Sequence, residues 1–206
     1  MDIKTGQEGR TEEIKKTIAQ ETQERQRKSL DMMLEQYNKN REIYIDDFVK
    51  VMDNLFKECV EQQKRGRIKT GYIDIWSMRL SVENGSYEYP VRLYAEGYYH
   101  DKNFIEKKWN PGYMEEFIKD DILYFEKLIM LKIIRAKKYE VKDFLREYIY
   151  ETYIKPVPEV IKDGTERLQN LESFQSMEKA EEIPLYYGEM MEEAQWEFRF
   201  KEMNIS

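Results

Sequence analysis

Between residues 44 and 60 the large apolar side chains fall at Tyr44, Phe48, Val51, Met52, Leu55, Phe56, Cys59 and Val60. Their steps of 4, 3, 1, 3, 1, 3 and 1 place them on one face of a helix, so a core helix is predicted here. Upstream the pattern thins. From Thr11 to Asn40 the large apolar residues are sparse, among them Ile14, Ile18, Leu30, Met33, Leu34 and Tyr37, and the run QETQERQRKS offers no core face. No Gly or Pro interrupts the chain between Gly9 and Gly66, so helix is still expected. Residues 1–41 therefore read as an exposed or projecting helical segment, and 42–206 as one α+β domain. Tyr37–Asn40 is the expected hinge between them.

Periodicity switches in WSMRLSVENGSYEYPVRL, residues 76–93. Taking Asn84-Gly85 as a two-residue turn predicts a hairpin of 72–82 and 86–95. In that register Trp76, Met78, Leu80 and Val82 share a core face with Leu93, Val91, Tyr89 and Tyr87. Ile75, Arg79, Arg92 and Tyr94 then share the opposite, mixed face. Pro90 has no N–H, so its strand is expected to have an unpaired side. Asn110-Pro111 predicts an N-cap and first helical position, leading a broadly apolar helix through Ile133. A further helix carries Val141, Phe144, Leu145, Tyr148 and Ile149 and stops before Pro156 and Pro158. Residues 159–182 read as a polar, acidic helix. Trp196, Phe198 and Phe200 alternate, which predicts a final strand. The fold class expected is α+β: a small antiparallel sheet packed against several helices.

With 206 residues, 41% hydrophobic and 14% aromatic, the chain has material for a core. The net charge of -7 is unevenly placed. Residues 1–41 carry nine Lys or Arg against eight Asp or Glu, and residues 159–206 carry five against twelve. An acidic tail on a near-neutral body argues against nucleic acid as the main partner, which asks for a basic footprint. One cysteine allows no internal disulfide, no run reaches the ~20 apolar residues of a membrane span, and the first residues lack a signal peptide's apolar core. A cytoplasmic setting without membrane contact is expected.

Few motifs carry chemistry. His100 is the only histidine, which excludes multi-histidine metal sites, and its neighbour Asp101 is the sole hint of a general base. Cys59 falls on the apolar helix face and reads as an inert core thiol. GRIKTGY spaces Gly66 and Gly71 as a phosphate loop would, but Tyr72-Ile73 stands where Lys-Ser/Thr is needed. Lys64, Arg65, Arg67 and Lys69 remain as a basic turn able to meet an acidic partner. Carboxylates at helical spacing, such as Glu116 with Asp120, read as a polar outer face. Asp74, Glu106 and Lys108 can be aligned with a metal-dependent nuclease pattern, in which acids hold the ion and a lysine steadies water. No metal ligand set and no cofactor follows from these residues.

Two functional expectations result. The first is a non-enzymatic module that binds a protein partner, or itself, through the N-terminal helix, with Ile75, Arg79, Arg92 and Tyr94 as a second contact surface. The alternative is a phosphodiesterase or nucleic-acid-handling enzyme using Asp74, Glu106 and Lys108.

Overall fold

The computed structural model describes residues 3–67, 69–77, 81, 85–97, 104–132, 153–189 and 194–201. The order is α1 (Ile3–Gln63), β1 (Thr70–Ser77), β2 (Tyr89–Ala95), β3 (Ile105–Trp109), α2 (Glu115–Lys132), α3 (Val157–Leu168), α4 (Glu172–Ser176), β4 (Glu182–Glu189) and β5 (Ala194–Lys201). The fold is α+β, with several helices and a five-stranded sheet. No described helix is long and apolar enough to cross a membrane.

The chain divides into two units, Met1–Asn40 with Gly112–Pro156 and Arg41–Pro111 with Val157–Ser206. Residues 112–156 thus group with the N-terminal segment that the sequence sets apart. The division falls at a break in α1. Asn40 leaves helical geometry (φ -115, ψ 17), and its side-chain amide donates to the Gln36 carbonyl at 3.1 Å. The side chain thereby replaces a backbone donor at the break, as asparagine is suited to do.

In the first unit α1 and α2 run antiparallel. The Tyr37 and Tyr113 ring centroids lie 5.6 Å apart, and Ser29 Oγ donates to Asp121 Oδ1 at 3.0 Å. Both pairs sum to 150, which is the signature of opposed helices in one register. Asp121 is fully buried on α2, among inward positions Met114, Ile118 and Phe125. Arg25 Nε donates to its Oδ1 at 2.7 Å, and the Tyr153 hydroxyl donates to its other oxygen. A buried carboxylate is tolerable because donors meet both oxygens. Asp121→Ala strands Ser29 and Tyr153, while Arg25, about a third exposed, can turn to water. A loss of about 2 kcal/mol is expected, read by far-ultraviolet circular dichroism during denaturation.

The second unit is built on the sheet order β3-β2-β1-β4-β5. The sheet is mixed: β1 pairs antiparallel with β2 but parallel with β4. Of the acidic helix expected over 159–182 only α3 and the short α4 are helical, and the β4 strand, EIPLYYGE, begins where that helix was expected to end. Pro158 sits in the first turn of α3, where its missing N–H costs nothing. The final strand, β5, includes the expected alternating aromatics. Ile73, Ile75, Val91, Leu93, Trp109, Leu185 and Tyr187 form one buried sheet face by register. The second part of α1 covers it with Ile45, Phe48, Met52, Leu55, Phe56 and Cys59, all at most 1% exposed. Phe48 meets Trp109 edge-on at 5.0 Å, and Phe174 bridges Phe56 and Phe200 at 5.2 and 5.0 Å. In α3, Gly164 faces the Phe48 ring so closely that an added Cβ would stand 2.3 Å from its Cδ1.

Two local expectations change. The register is not that of a two-residue turn at Asn84-Gly85, of which Asn84 lies outside the described residues: β1 ends at Ser77, β2 begins at Tyr89, and Ile75 pairs with Val91 rather than Tyr94. Within the connection, Ser86 and Tyr87 N–H groups both donate to the Ser81 carbonyl, and Tyr87 takes φ 50. The register moves by three residues, an odd number, so every β1 side chain changes face. The helix predicted from Asn110-Pro111 starts later, at Glu115, because Gly112 turns the backbone to φ 71. Pro90 lies one position beyond the last β1 partner, Val91, and pairs with Lys108 alone. Its missing donor falls where β2 has no neighbour on that side.

Candidate functional site

The sheet face opposite the helices collects the chain's most unusual electrostatics. Glu106, Arg92, Asp74, Tyr186 and Glu197 form one row across all five strands, set by the cross-strand register. Trp76 and Tyr94 flank the row on β1 and β2. Arg92 Nε donates to Glu106 Oε2 at 2.7 Å, and its guanidinium lies 5.0 Å from the Phe104 ring centre. Phe104 also packs against Tyr94 at 5.3 Å.

Asp74 is the exception within this row. It is fully buried, and among the described residues no well-aligned hydrogen bond meets either carboxylate oxygen, with Trp76 and Tyr94 as its nearest donors. Burial pushes its pKa up to about 6, although Trp76, Arg92 and Tyr94 stand near enough to pull it back in part. Burial, reinforced by the Asp74 charge, raises the Tyr94 hydroxyl as well. Arg92 goes the other way from burial's preference: desolvation opposes its charge, but Glu106 and Tyr94 hold it protonated. The result is a carboxyl that holds its proton into the mildly acidic range beside a permanently charged guanidinium.

The structure distributes the sequence-predicted residues unevenly. Asp74, Glu106 and Lys108 do share this face, but Arg92 stands between the two acids. With strands about 4.8 Å apart, Asp74 and Glu106 are separated by roughly 10 Å of backbone. A guanidinium thus occupies the place a divalent cation needs, and Lys108 pairs with Glu88 at 2.9 Å. Among the described residues no group of three His, Cys, Asp or Glu is placed to hold a metal. Arg92 and Tyr94 are together, whereas Ile75 lies on the opposite, core face. Arg79 and His100 fall outside the described residues.

The basic turn is largely committed to structure. Arg67 donates to the Leu93 carbonyl at 3.0 Å and to Gln62 Oε1 at 3.4 Å, tying the helix end to β2. Lys64 pairs with Glu61 at 2.6 Å. Arg65 and Lys69 are exposed. Cys59 is buried, and burial raises its thiol pKa despite contact with Thr70 Oγ1 at 3.2 Å. Its setting is that of an unreactive thiol.

Phe104 and Tyr186 join this face without having been singled out from the sequence, and Trp76, expected on the core face, joins it as well. An odd register places Trp76 there, and Tyr186 belongs to a strand that sequence periodicity did not reveal. Asp121 did leave a signal, because it falls on the inward 4, 3, 4 spacing of Met114, Ile118 and Phe125. No protein-family model, curated protein or solved structure matches the chain.

Proposed function

We propose that the protein is a non-enzymatic interaction module that joins a protein partner, or a second copy, through the N-terminal part of α1. The observation that carries this reading is a helix that runs on through a charge-balanced segment with few large apolar residues. The helix begins at Ile3, and from Arg25 to Asn40 it buries a stripe of Ser29, Met33 and Tyr37 within the first unit. Helix formation alone is marginal in water for a segment of this polarity, so its helicity calls for a neighbour. Balanced charge and two isolated isoleucines, Ile14 and Ile18, suit an intermittent contact with another helix.

The test compares the full chain with a variant lacking residues 1–20, which leaves Arg25 and Ser29 in place. The shorter chain is expected to keep its cooperative unfolding and tryptophan emission while losing partner capture, or any assembly beyond a dimer in sedimentation. Unchanged assembly would end this reading. The phosphodiesterase alternative keeps one support, the shared face of Asp74, Glu106 and Lys108, and is opposed by Arg92 between the acids.

A further inference from the structure

Helix α2 has a second face that the first unit does not use. Glu116, Asp120, Leu123, Tyr124, Lys127 and Leu131 are all exposed, and at 100° per residue they fall within an arc of about 100°. Leu131 is 86% exposed and Leu123 54%. A lone exposed leucine is ordinary, but two on one stripe with a tyrosine make a seam. Tyr124 already carries the Arg25 guanidinium 4.1 Å from its ring centre, so its orientation is held.

The order of charges along this seam identifies what fits it. Acids Glu116 and Asp120 come first, and Lys127 comes towards the other end. No described group pairs with Asp120 or Lys127. A two-fold axis between Leu123 and Tyr124 maps Asp120 onto Lys127 and Glu116 onto Leu131, since each pair of numbers sums to 247. An antiparallel second copy therefore meets every acid with a lysine or an apolar end. A parallel copy would set Asp120 against Asp120. Self-complementarity of this kind is what a closed two-fold contact requires.

We propose that this stripe of α2 is the contact of an antiparallel homodimer, with Leu123 against Tyr124 at the axis and Asp120 of each copy paired with Lys127 of the other. The stripe is about 22 Å long, fifteen residues at 1.5 Å each. It offers less than the roughly 800 Å² per partner of a permanent interface, so the dimer is weak and concentration-dependent. This surface is distinct from the N-terminal part of α1, and either contact stands without the other.

Sedimentation of the full chain across a concentration series tests the proposal. Wild type is expected to pass from monomer to dimer. Lys127→Glu and Asp120→Lys each turn two attractions into two repulsions and are expected to weaken the dimer about tenfold or more. Mixing the two variants restores both pairs, so a heterodimer is expected where each variant alone is monomeric. All these positions are exposed, so unchanged circular dichroism is the folding control. A monomeric wild type, single variants that dimerise normally, or a mixture that fails to reassemble would each overturn the proposal.

Discussion

Asp74→Asn is expected to stabilise the protein by about 3 kcal/mol at pH 7 and to leave it unchanged near pH 3. The sign follows from where each state releases its proton. An unfolded aspartate ionises near 3.8, whereas burial holds folded Asp74 to about 6. Between those values the unfolded chain has already ionised while the folded one still carries its proton. Stability contributed by this group is therefore complete below the unfolded value, falls as pH rises towards 6, and is level above it. An asparagine of nearly the same shape removes the titration and the cost of a buried charge that its neighbours only partly offset. Urea denaturation at several pH values, followed by tryptophan emission, checks both the size and the slope. Trp76, Trp109 and Trp196 all lie in the unit that contains Asp74. A variant less stable than wild type at neutral pH would show instead that Asp74 works as a charged partner of Arg92.

Gly164→Val is expected to cost about 3 kcal/mol or more, although valine ordinarily suits a helix better than glycine. The space is taken: a Cβ at this position lies 2.3 Å from Phe48 Cδ1 and 2.9 Å from Cε1. The ring cannot simply swing away, because its far side meets Trp109 at 5.0 Å. Gly164→Ala is expected to lose less, since about 1 kcal/mol of helix propensity returns. Combining it with Phe48→Ala separates collision from propensity. Phe48→Ala alone opens a cavity, at about 3–5 kcal/mol, but the added methyl group then enters that space. The double variant should be more stable than the sum of the two single losses predicts. Strict additivity would mean that α3 and α1 are not in this contact.

These two positions also show why the chain was only partly legible. The core helix was readable because steps of three and four residues are local, and Phe48, Met52, Leu55, Phe56 and Cys59 are all fully buried. Asn40 interrupts the helix within the expected hinge. The sheet was harder. Its α+β class and last strand could be read from alternation, but register depends on the turn, and Asn84-Gly85 suggested a shorter connection than the one formed. That three-residue difference moved Trp76 to the face with Asp74 and Ile75 into the core. Strand β4 was hidden because Pro184 and Gly188 are poor strand formers. Both are tolerated here because Pro184 lies one position outside the β1 ladder, which begins at Leu185, and Gly188 lies at an irregularity in the β5 ladder. Gly164 gave no sign of its tight packing, because a close approach between helices leaves no periodic trace.

The parallel pair at the centre of the sheet has a consequence for how the chain is made. Ile73 and Leu185 are hydrogen-bonded neighbours separated by 112 positions (185 − 73). At about 5–20 residues per second, a ribosome needs roughly 6–22 s to supply the second strand after the first. Throughout that interval β1, β2 and β3 can pair with one another, but the other edge of β1 presents TGYIDIWS to the surroundings. Such an edge invites pairing with neighbouring chains. The nascent protein therefore passes through a window in which its central strand is half-paired, and the residues of the helical unit from Gly112 onward emerge within it.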